Sequence, residues 1–318
     1  MTTAPSVPVA LRRQVDLTID GEPVSVPAGA TILEACRAAG TEVPTLCYLE
    51  TLAPVNVCRV CVVEVEGSRA LVPACSRPVE AGMSVATASD RVRTSRRMVL
   101  ELLASSVDLS TAAGDVHRWI GEYGARPERH GPRAPGADRD ATHAGHHPPP
   151  EVGLASTVSQ GVKADNDQYV RDYSKCILCY KCVEACGEEA QNTFAIAVAG
   201  RGFDARISTE FDVALPDSAC VYCGNCVAVC PTGALMFVTE HELRARGEWD
   251  ESRQQVTRTV CPYCGVGCNL ELHVQDNQIV KVTSPLDHDV TRGSLCVKGR
   301  FGFGFAHAGG GEPPVPGG

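Results

Sequence analysis

The sequence predicts an α+β protein made of three small domains. Three observations lead to this prediction. A β-hairpin pattern followed by a capped helix opens the chain, an internal repeat with an offset of 44 residues occupies its middle, and two short strands follow a third cysteine-rich segment near its end. Aromatic residues are scarce (Trp 2, Phe 7, Tyr 7), so we expect thin cores that need additional cross-links.

The first domain, predicted over residues 12–89, begins as a β-hairpin. Apolar and polar residues alternate over residues 15–19, and Asp20-Gly21 has the composition of a tight turn. The segment Thr31-Ile-Leu-Glu34 is a capping box that opens a helix. A further strand is predicted from Val62 to Val65. Hairpin, helix and a cysteine-bearing loop on a small sheet is the order of a ferredoxin-type half-barrel.

The next two segments carry no cysteine. Residues 90–124 have a helical pattern, with apolar residues on one side from Asp90 to Leu103. Residues 125–165 are rich in Pro, Gly, His and charge, so we predict a disordered linker. A stray metal site there is a weaker alternative to a solvated tract, and its ligands would be His143, His146 and His147. The tail over 308–318 is also predicted to be disordered.

Sixteen of the seventeen cysteines fall into four runs of four. The runs are Cys47, Cys58, Cys61 and Cys75; Cys176, Cys179, Cys182 and Cys186; Cys220, Cys223, Cys226 and Cys230; and Cys261, Cys264, Cys268 and Cys296. Cys36 remains, among apolar residues of the first predicted helix, and we expect it to be a buried, inert thiol.

The rest of the sequence indicates which cross-link the cysteines form. The first residues lack the apolar run of a secretory signal, and no segment approaches the ~18 apolar residues of a membrane helix. We therefore predict a cytoplasmic protein, in which disulfides rarely persist and clustered cysteines indicate metal. The net charge of −9 argues against nucleic-acid binding. No phosphate-binding loop or dinucleotide motif is present, so no substrate-reacting site of its own is expected.

The two middle runs share the spacing of two-cluster ferredoxins and predict such a domain over residues 166–245. In this spacing three cysteines hold one [4Fe–4S] cluster, and the fourth ligates the other cluster. The predicted ligand sets are therefore Cys176, Cys179, Cys182 and Cys230, and Cys220, Cys223, Cys226 and Cys186. Structural zinc, which prefers two separated cysteine pairs, is the alternative.

The first and fourth runs have looser spacing. Gaps of ten, two and thirteen residues suit a [2Fe–2S] cluster, with one zinc ion and spare thiols as the alternative. The fourth run predicts a third [4Fe–4S] cluster in a domain over residues 256–307, although taken alone it also suits a zinc ribbon. Two short strands are predicted there, from Asn269 to Val274 and from Gln278 to Val282.

Specific stretches carry a family resemblance. They are CYLETLAPVNVCRVCVVEVEG, YSKCILCYKCVEAC, GRGFDARIS, LPDSACVYCGNCVAVCPTGAL, CPYCGVGCNL and LCVKGRFGF. With them the chain resembles the N-terminal iron–sulfur half of the NAD-dependent molybdenum or tungsten formate dehydrogenase alpha subunit, and its front part resembles the large iron–sulfur subunit of complex I. The resemblance implies a β-grasp [2Fe–2S] domain, a two-cluster [4Fe–4S] domain and a small β-rich [4Fe–4S] domain of the molybdopterin oxidoreductase type. It also implies that Lys298 lies between the last cluster and the pterin.

Two departures from the family shape the functional prediction. Residues 104–165 contain no cysteine, and His117 has no partners for the family's extra histidine-ligated cluster. The family also continues into pterin-binding domains, so we expect a split gene or a truncated product. The sequence predicts an electron-transfer subunit between a separate molybdopterin catalytic subunit and a flavin- or NAD-handling partner. The alternatives are a diaphorase-side subunit of a hydrogenase or NADH-dehydrogenase-like complex, and a zinc-stabilised interaction module.

Overall fold

The computed structural model describes residues 13–130, 145–147, 157–159, 161–201 and 205–307. The chain divides into two units. Unit 1 comprises Met1–Leu46 and Asn56–Val99, and unit 2 comprises Cys47–Val55 and Leu100–Gly318. His143 and the tail over 308–318, both named above, lie outside the described residues.

Unit 1 is built on one five-stranded mixed sheet. Its strands are β1 (Gln14–Ile19), β2 (Glu22–Pro27), β3 (Val62–Val65), β4 (Val72–Pro73) and β5 (Ser84–Ala86). The strand order is β2-β1-β5-β3-β4, in which β1 and β5 are parallel and the other neighbours are antiparallel. The predicted hairpin is confirmed, because β1 and β2 pair in register around the Asp20-Gly21 turn.

The first helix of unit 1, α1 (Ile32–Ala38), begins where the capping box predicts. The Thr31 hydroxyl accepts the amide of Glu34 at 3.2 Å, and the Glu34 carboxylate accepts the amide of Thr31 at 2.6 Å. These two bonds satisfy backbone donors that a helix start leaves without partners. The apolar face of α1 is buried. The next helix, α2 (Asp90–Ser106), belongs in part to each unit.

In its described residues, unit 2 contains the remaining helices and four small sheets. Its helices are α3 (Gly114–Glu122), α4 (Lys181–Cys186), α5 (Asn225–Ala228), α6 (Val238–Ala245) and α7 (Val297–Phe301). Its strands are β6 (Gly145–His147), β7 (Thr157–Ser159), β8 (Val162–Lys163), β9 (Tyr169–Asp172), β10 (Ala197–Ala199), β11 (Arg206–Ser208), β12 (Leu235–Phe237), β13 (Gln255–Val260), β14 (Asn269–Gln275) and β15 (Gln278–Thr283). All pairings within these sheets are antiparallel.

The segment over residues 125–165 differs from the predicted linker in its described parts. Pro127–His130 forms a 3₁₀ turn, and β6 pairs with β7. The linker prediction rests on the lack of apolar periodicity in the segment. Backbone hydrogen bonds between strands do not require that periodicity. This pairing was therefore not visible in the composition.

Two apolar clusters lie in the described part of unit 2. One contains Tyr169, Leu235 and Phe237. These residues belong to β9 and β12, which pair with each other and flank the two middle cysteine runs. The other surrounds Cys261 and contains Leu270 and Val282 of the β14–β15 hairpin. Within the described ranges, no helix combines the length and apolar character that crossing a membrane requires.

Candidate iron–sulfur sites

The two middle cysteine runs fold into loops that repeat the same backbone geometry. Leu178 and Tyr222, at equivalent positions, both have positive φ (51° and 55°). Their amides donate to the Sγ atoms of Cys176 and Cys220, each at 3.4 Å. A second left-handed residue then starts the helix in each loop, Tyr180 before α4 and Gly224 before α5. The charges of Cys176 and Cys179 act on Cys182, and those of Cys220 and Cys223 act on Cys226, so the first three thiols of each run lie near one another.

The thiols of these loops group across the repeat. Burial is the main cause of the raised pKa of Cys176 (about 12) and Cys179 (about 11), and the charge of Cys230 adds to both. In the second loop, burial again raises the pKa of Cys223, and Cys186 contributes. The last cysteine of each run therefore lies near thiols of the other run, and its role as a ligand there stays a prediction.

Hydroxyl groups also lie against these thiols. The hydroxyl of Tyr169, a buried residue of β9, is 3.1 Å from Sγ of Cys220. Burial, followed by the charges of the nearby thiolates, raises the pKa of this phenol, so it stays a protonated donor. The Thr193 hydroxyl is 3.4 Å from Sγ of Cys186. Sequence reasoning missed Tyr169, because nothing in its local pattern marks it as a neighbour of a cysteine 51 residues away.

The fourth run surrounds the open end of the β14–β15 hairpin. Cys261 is buried and its amide donates to the carbonyl of Cys268 at 2.8 Å, whereas Cys264 and Cys296 are exposed. Burial raises the pKa of Cys268, and the charges of the other three thiols raise it further. The four cysteines are thus brought together. Lys298, which the family resemblance singled out, is exposed on α7.

The first run is divided between the two units. Cys58, Cys61 and Cys75 lie in unit 1, and Cys47 lies in unit 2. In unit 1, the β3–β4 pairing continues as a bond from the Ala74 amide to the carbonyl of Cys61 at 3.2 Å, which brings Cys61 beside Cys75. In unit 2, Cys47 is close enough to Cys179 for its charge to raise the pKa of that thiol.

Cys36 takes no part in these groups. It is fully buried in α1, and burial, with the nearby charge of Asp20, raises its pKa to about 11. The predicted burial of this thiol is confirmed.

The donor sets of the second, third and fourth runs fit cubane clusters. They consist of thiols, with no disulfide among them, and backbone and hydroxyl donors point at several sulfurs. Within the described ranges, no three His, Cys, Asp or Glu side chains converge closely enough to hold a single metal ion. A cubane is larger than one ion and takes one thiolate at each of its four irons, so its ligand sulfurs stand farther apart.

Three family models match the chain. Residues 12–90 match a 2Fe-2S iron–sulfur cluster binding domain, residues 175–234 a 4Fe-4S dicluster domain, and residues 254–308 a molybdopterin oxidoreductase Fe4S4 domain.

Relatives and a solved structure extend the similarity beyond single domains. One subunit of an NADH-quinone oxidoreductase of Rhizobium meliloti is 33% identical over 92% of this chain and 31% of its own length. A putative formate dehydrogenase of Staphylococcus haemolyticus is 25% identical over 94% of this chain and 32% of its own. A chain from a crystal structure of NAD⁺-reducing [NiFe]-hydrogenase in the H₂-reduced state is 27% identical, covering 70% of this chain and 87% of that one, with a TM-score of 0.55.

This chain spans about a third of the length of the curated relatives it matches. The matches cover all three of its cysteine-rich segments. The chain therefore contains one 2Fe-2S domain and 4Fe-4S domains, and it is similar to a subunit of an NADH-quinone oxidoreductase and to a chain of an NAD⁺-reducing [NiFe]-hydrogenase.

Proposed function

We propose that this chain is the electron-transfer subunit of a cytoplasmic, formate-dehydrogenase-like complex. A molybdopterin subunit with molybdenum or tungsten would oxidise formate, and a flavin- or NAD-binding subunit would receive the electrons. The sixteen cysteines of the four runs would hold one [2Fe–2S] and three [4Fe–4S] clusters, with unit 1 folded as a ferredoxin-type β-grasp. When bound, the clusters supply one-electron transfer without proton movement or bond cleavage.

The observation that carries the proposal is the exposed end of the C-terminal domain. Cys264 and Cys296 are exposed there, whereas the cysteines of the two middle runs are all buried or partly buried. Large apolar side chains close to them in sequence are also exposed, namely Val260, Tyr263 and Val266. Several exposed apolar side chains within one short segment are consistent with an interface. Because this segment matches the molybdopterin oxidoreductase Fe4S4 domain, a pterin-binding partner is the occupant that fits best.

The arrangement of thiols in unit 2 supports an order of electron transfer. Within unit 2, Cys47, a proposed ligand of the [2Fe–2S] cluster, lies near Cys179 of the first ferredoxin site. At the other end, Arg300 of α7 donates to the carbonyl of Cys223 at 2.8 Å, which joins the C-terminal domain to the second ferredoxin site. Electrons would pass from the C-terminal site through both ferredoxin sites to the [2Fe–2S] site. Lys298, exposed on the same helix, would lie toward the pterin.

A hydrogenase-type complex is the second candidate. The observation in its favour is the similarity to a chain of the NAD⁺-reducing [NiFe]-hydrogenase structure. The match of residues 254–308 to a molybdopterin oxidoreductase domain favours the pterin complex instead.

Metal analysis of the complex purified anaerobically with its partners tests the proposal. We expect about 14 irons per chain, molybdenum or tungsten in the same fractions, and reduction of the clusters by formate followed by EPR. Nickel and reduction by hydrogen would favour the hydrogenase-type complex. A colourless protein with zinc in place of iron would exclude both and support a zinc-stabilised interaction module.

A further inference from the structure

Arg300 is a fully buried cation without a carboxylate partner among the described residues. Its Nε donates to the carbonyl of Cys223 and its Nη2 to Oδ1 of Asn225, both at 2.8 Å. Two longer bonds, each 3.4 Å, reach the carbonyls of Val282 and Gly293. These neutral acceptors satisfy the N–H groups but do not balance the charge, and a buried charge is costly unless an opposite charge lies near it.

The anionic groups near Arg300 belong to two different cysteine runs. The Nε of Arg300 donates to the carbonyl of Cys223, and the Arg300 amide donates to the carbonyl of Cys296 at 3.1 Å. A guanidinium is not deprotonated in proteins, so the side chain is charged at neutral pH. Because Cys223 and Cys226 belong to the second ferredoxin run and Cys296 to the C-terminal run, one cation faces the proposed ligands of two clusters.

The two loops of the internal repeat differ in charge at one equivalent position. The first loop has a cation there, and the second has a neutral residue. In the first loop, the buried Lys181 starts α4 and lies between Cys179 and Cys182 in the sequence. The equivalent residue in the second loop is the neutral Asn225, and Arg300 donates to its Oδ1 at 2.8 Å. At this position the first loop carries a cation of its own, whereas in the second loop the cation comes from the C-terminal domain.

The second loop is shaped to admit this side chain. Gly224 stands where the first loop has Tyr180, and a Cβ atom there would lie 2.5 Å from Cδ of Arg300. Asn225 uses the same Oδ1 to accept the backbone amide of Leu295 at 3.0 Å, just before the last cysteine of the C-terminal run. The shape and the hydrogen-bonding groups of the second loop therefore match the side chain of Arg300.

We propose that Arg300 is the shared counter-cation of the two clusters ligated by Cys186, Cys220, Cys223 and Cys226 and by Cys261, Cys264, Cys268 and Cys296, and that it raises the reduction potential of both. The proposal rests on the ligand sets given under Proposed function. Reduction adds one electron, and so one negative charge, to a site already surrounded by thiolates. A fixed positive charge in a low-dielectric interior stabilises the reduced form more than the oxidised form. In each transfer one site loses the electron that the other gains, with no proton or bond change.

Potentiometric titration followed by EPR tests this role in the anaerobically purified chain with its clusters. In Arg300→Gln we expect the one-electron reduction equilibrium of both neighbouring clusters to move at least tenfold toward the oxidised form, which is 59 mV. The cluster of Cys176, Cys179, Cys182 and Cys230 should move less, because Lys181 remains. Because Arg300→Lys retains the positive charge, its reduction potentials should stay close to those of the wild type.

The matched control is Arg253→Gln. Arg253 is an exposed arginine of the same domain that pairs with Asp276 at the opposite end of the β14–β15 hairpin. Six strand residues at about 3.4 Å each place that end about 20 Å from Cys261. The loss of the Arg253 charge should therefore leave all reduction potentials unchanged.

A second variant decides the question if Arg300→Gln loses clusters. Asn225→Asp is isosteric and places a carboxylate against Nη2 of Arg300, so it should neutralise the cation and lower both potentials in a folded protein. Unchanged potentials in a fully loaded Arg300→Gln or Asn225→Asp protein would overturn the role of Arg300. A wild-type chain with far fewer than about 14 irons would instead contradict the proposed function.

Discussion

At the scale of single residues, donors directed at sulfur are the features of this chain that bear most directly on its chemistry. Two backbone amides and the Tyr169 hydroxyl point at thiols of the two-cluster domain. Hydrogen bonds to cluster sulfurs are among the means by which a protein sets reduction potentials. The amide bonds follow from the loop backbone, whereas the hydroxyl is a property of one side chain and is open to substitution.

We predict that Tyr169→Phe lowers the potential of the cluster proposed at Cys220, Cys223, Cys226 and Cys186. The hydroxyl lies 3.1 Å from Sγ of Cys220, and its loss removes a hydrogen bond whose strength increases when the site gains negative charge. A net difference of about 1 kcal/mol corresponds to about 40 mV for one electron. Redox titration followed by EPR measures the shift.

Tyr173→Phe is the control for this experiment. Tyr173 is equally buried, and its hydroxyl makes no hydrogen bond to a thiol. It should change the potential much less than Tyr169→Phe, and equal shifts in the two variants would contradict a specific role for the Tyr169 bond.

At the scale of elements, the two cysteine loops show how a repeat diverges where one copy meets another domain. Both loops need a left-handed residue before their helix. The first loop uses Tyr180 (φ 61°) and the second uses Gly224 (φ 69°). Conformation alone therefore does not require glycine at this position. The contact with Arg300 and Phe301 does, because it leaves no room for a side chain.

We predict that Gly224→Ala destabilises the protein by about 2–4 kcal/mol, the sum of left-handed strain and overpacking. Gly247→Ala is the matched comparison, since Gly247 has almost the same φ (+70°) and nothing within 4 Å of its Cβ position. It should lose only about 1 kcal/mol. Denaturant unfolding of the anaerobic holoprotein measures both, and equal losses would contradict the steric explanation.

At the scale of the whole molecule, the cysteine runs are not independent sites in sequence order. The last cysteine of each middle run lies with the first three of the other run. The first run is divided between two structural units. The proposed ligand sets join distant segments, so we expect iron binding and folding of the two-cluster segment to depend on each other.

We predict that pairs of substitutions reveal this interlocking through iron content. Cys176→Ala combined with Cys230→Ala removes two ligands of one proposed cluster and should cost about four of about 14 irons. Cys176→Ala combined with Cys186→Ala damages both clusters and should cost up to about eight. Iron analysis and EPR of the anaerobic proteins distinguish these outcomes. The reverse result, with the larger loss in the Cys176 and Cys230 pair, would mean that each run binds its own cluster.

Much of the local structure could be predicted from the sequence. The β1–β2 hairpin and the start of α1 depend on contacts between residues within a few positions of one another, and alternation, the Asp20-Gly21 turn and the capping box encode those contacts directly. By contrast, β9 and β12 are short, lie 66 residues apart and pair only because the two cysteine loops between them bring their ends together. No local pattern marks such a pairing.

The sequence by itself determined the chemistry that this protein can support. Cysteine spacing is a local property, and it indicates thiolate ligands, cluster type and the exchange of the fourth ligand between the two middle runs. Only the tertiary structure decided which other residues face those thiols. Tyr169, Gly224 and Arg300 act on cysteines through packing and electrostatics, and these forces depend on distances in space between segments far apart in the chain.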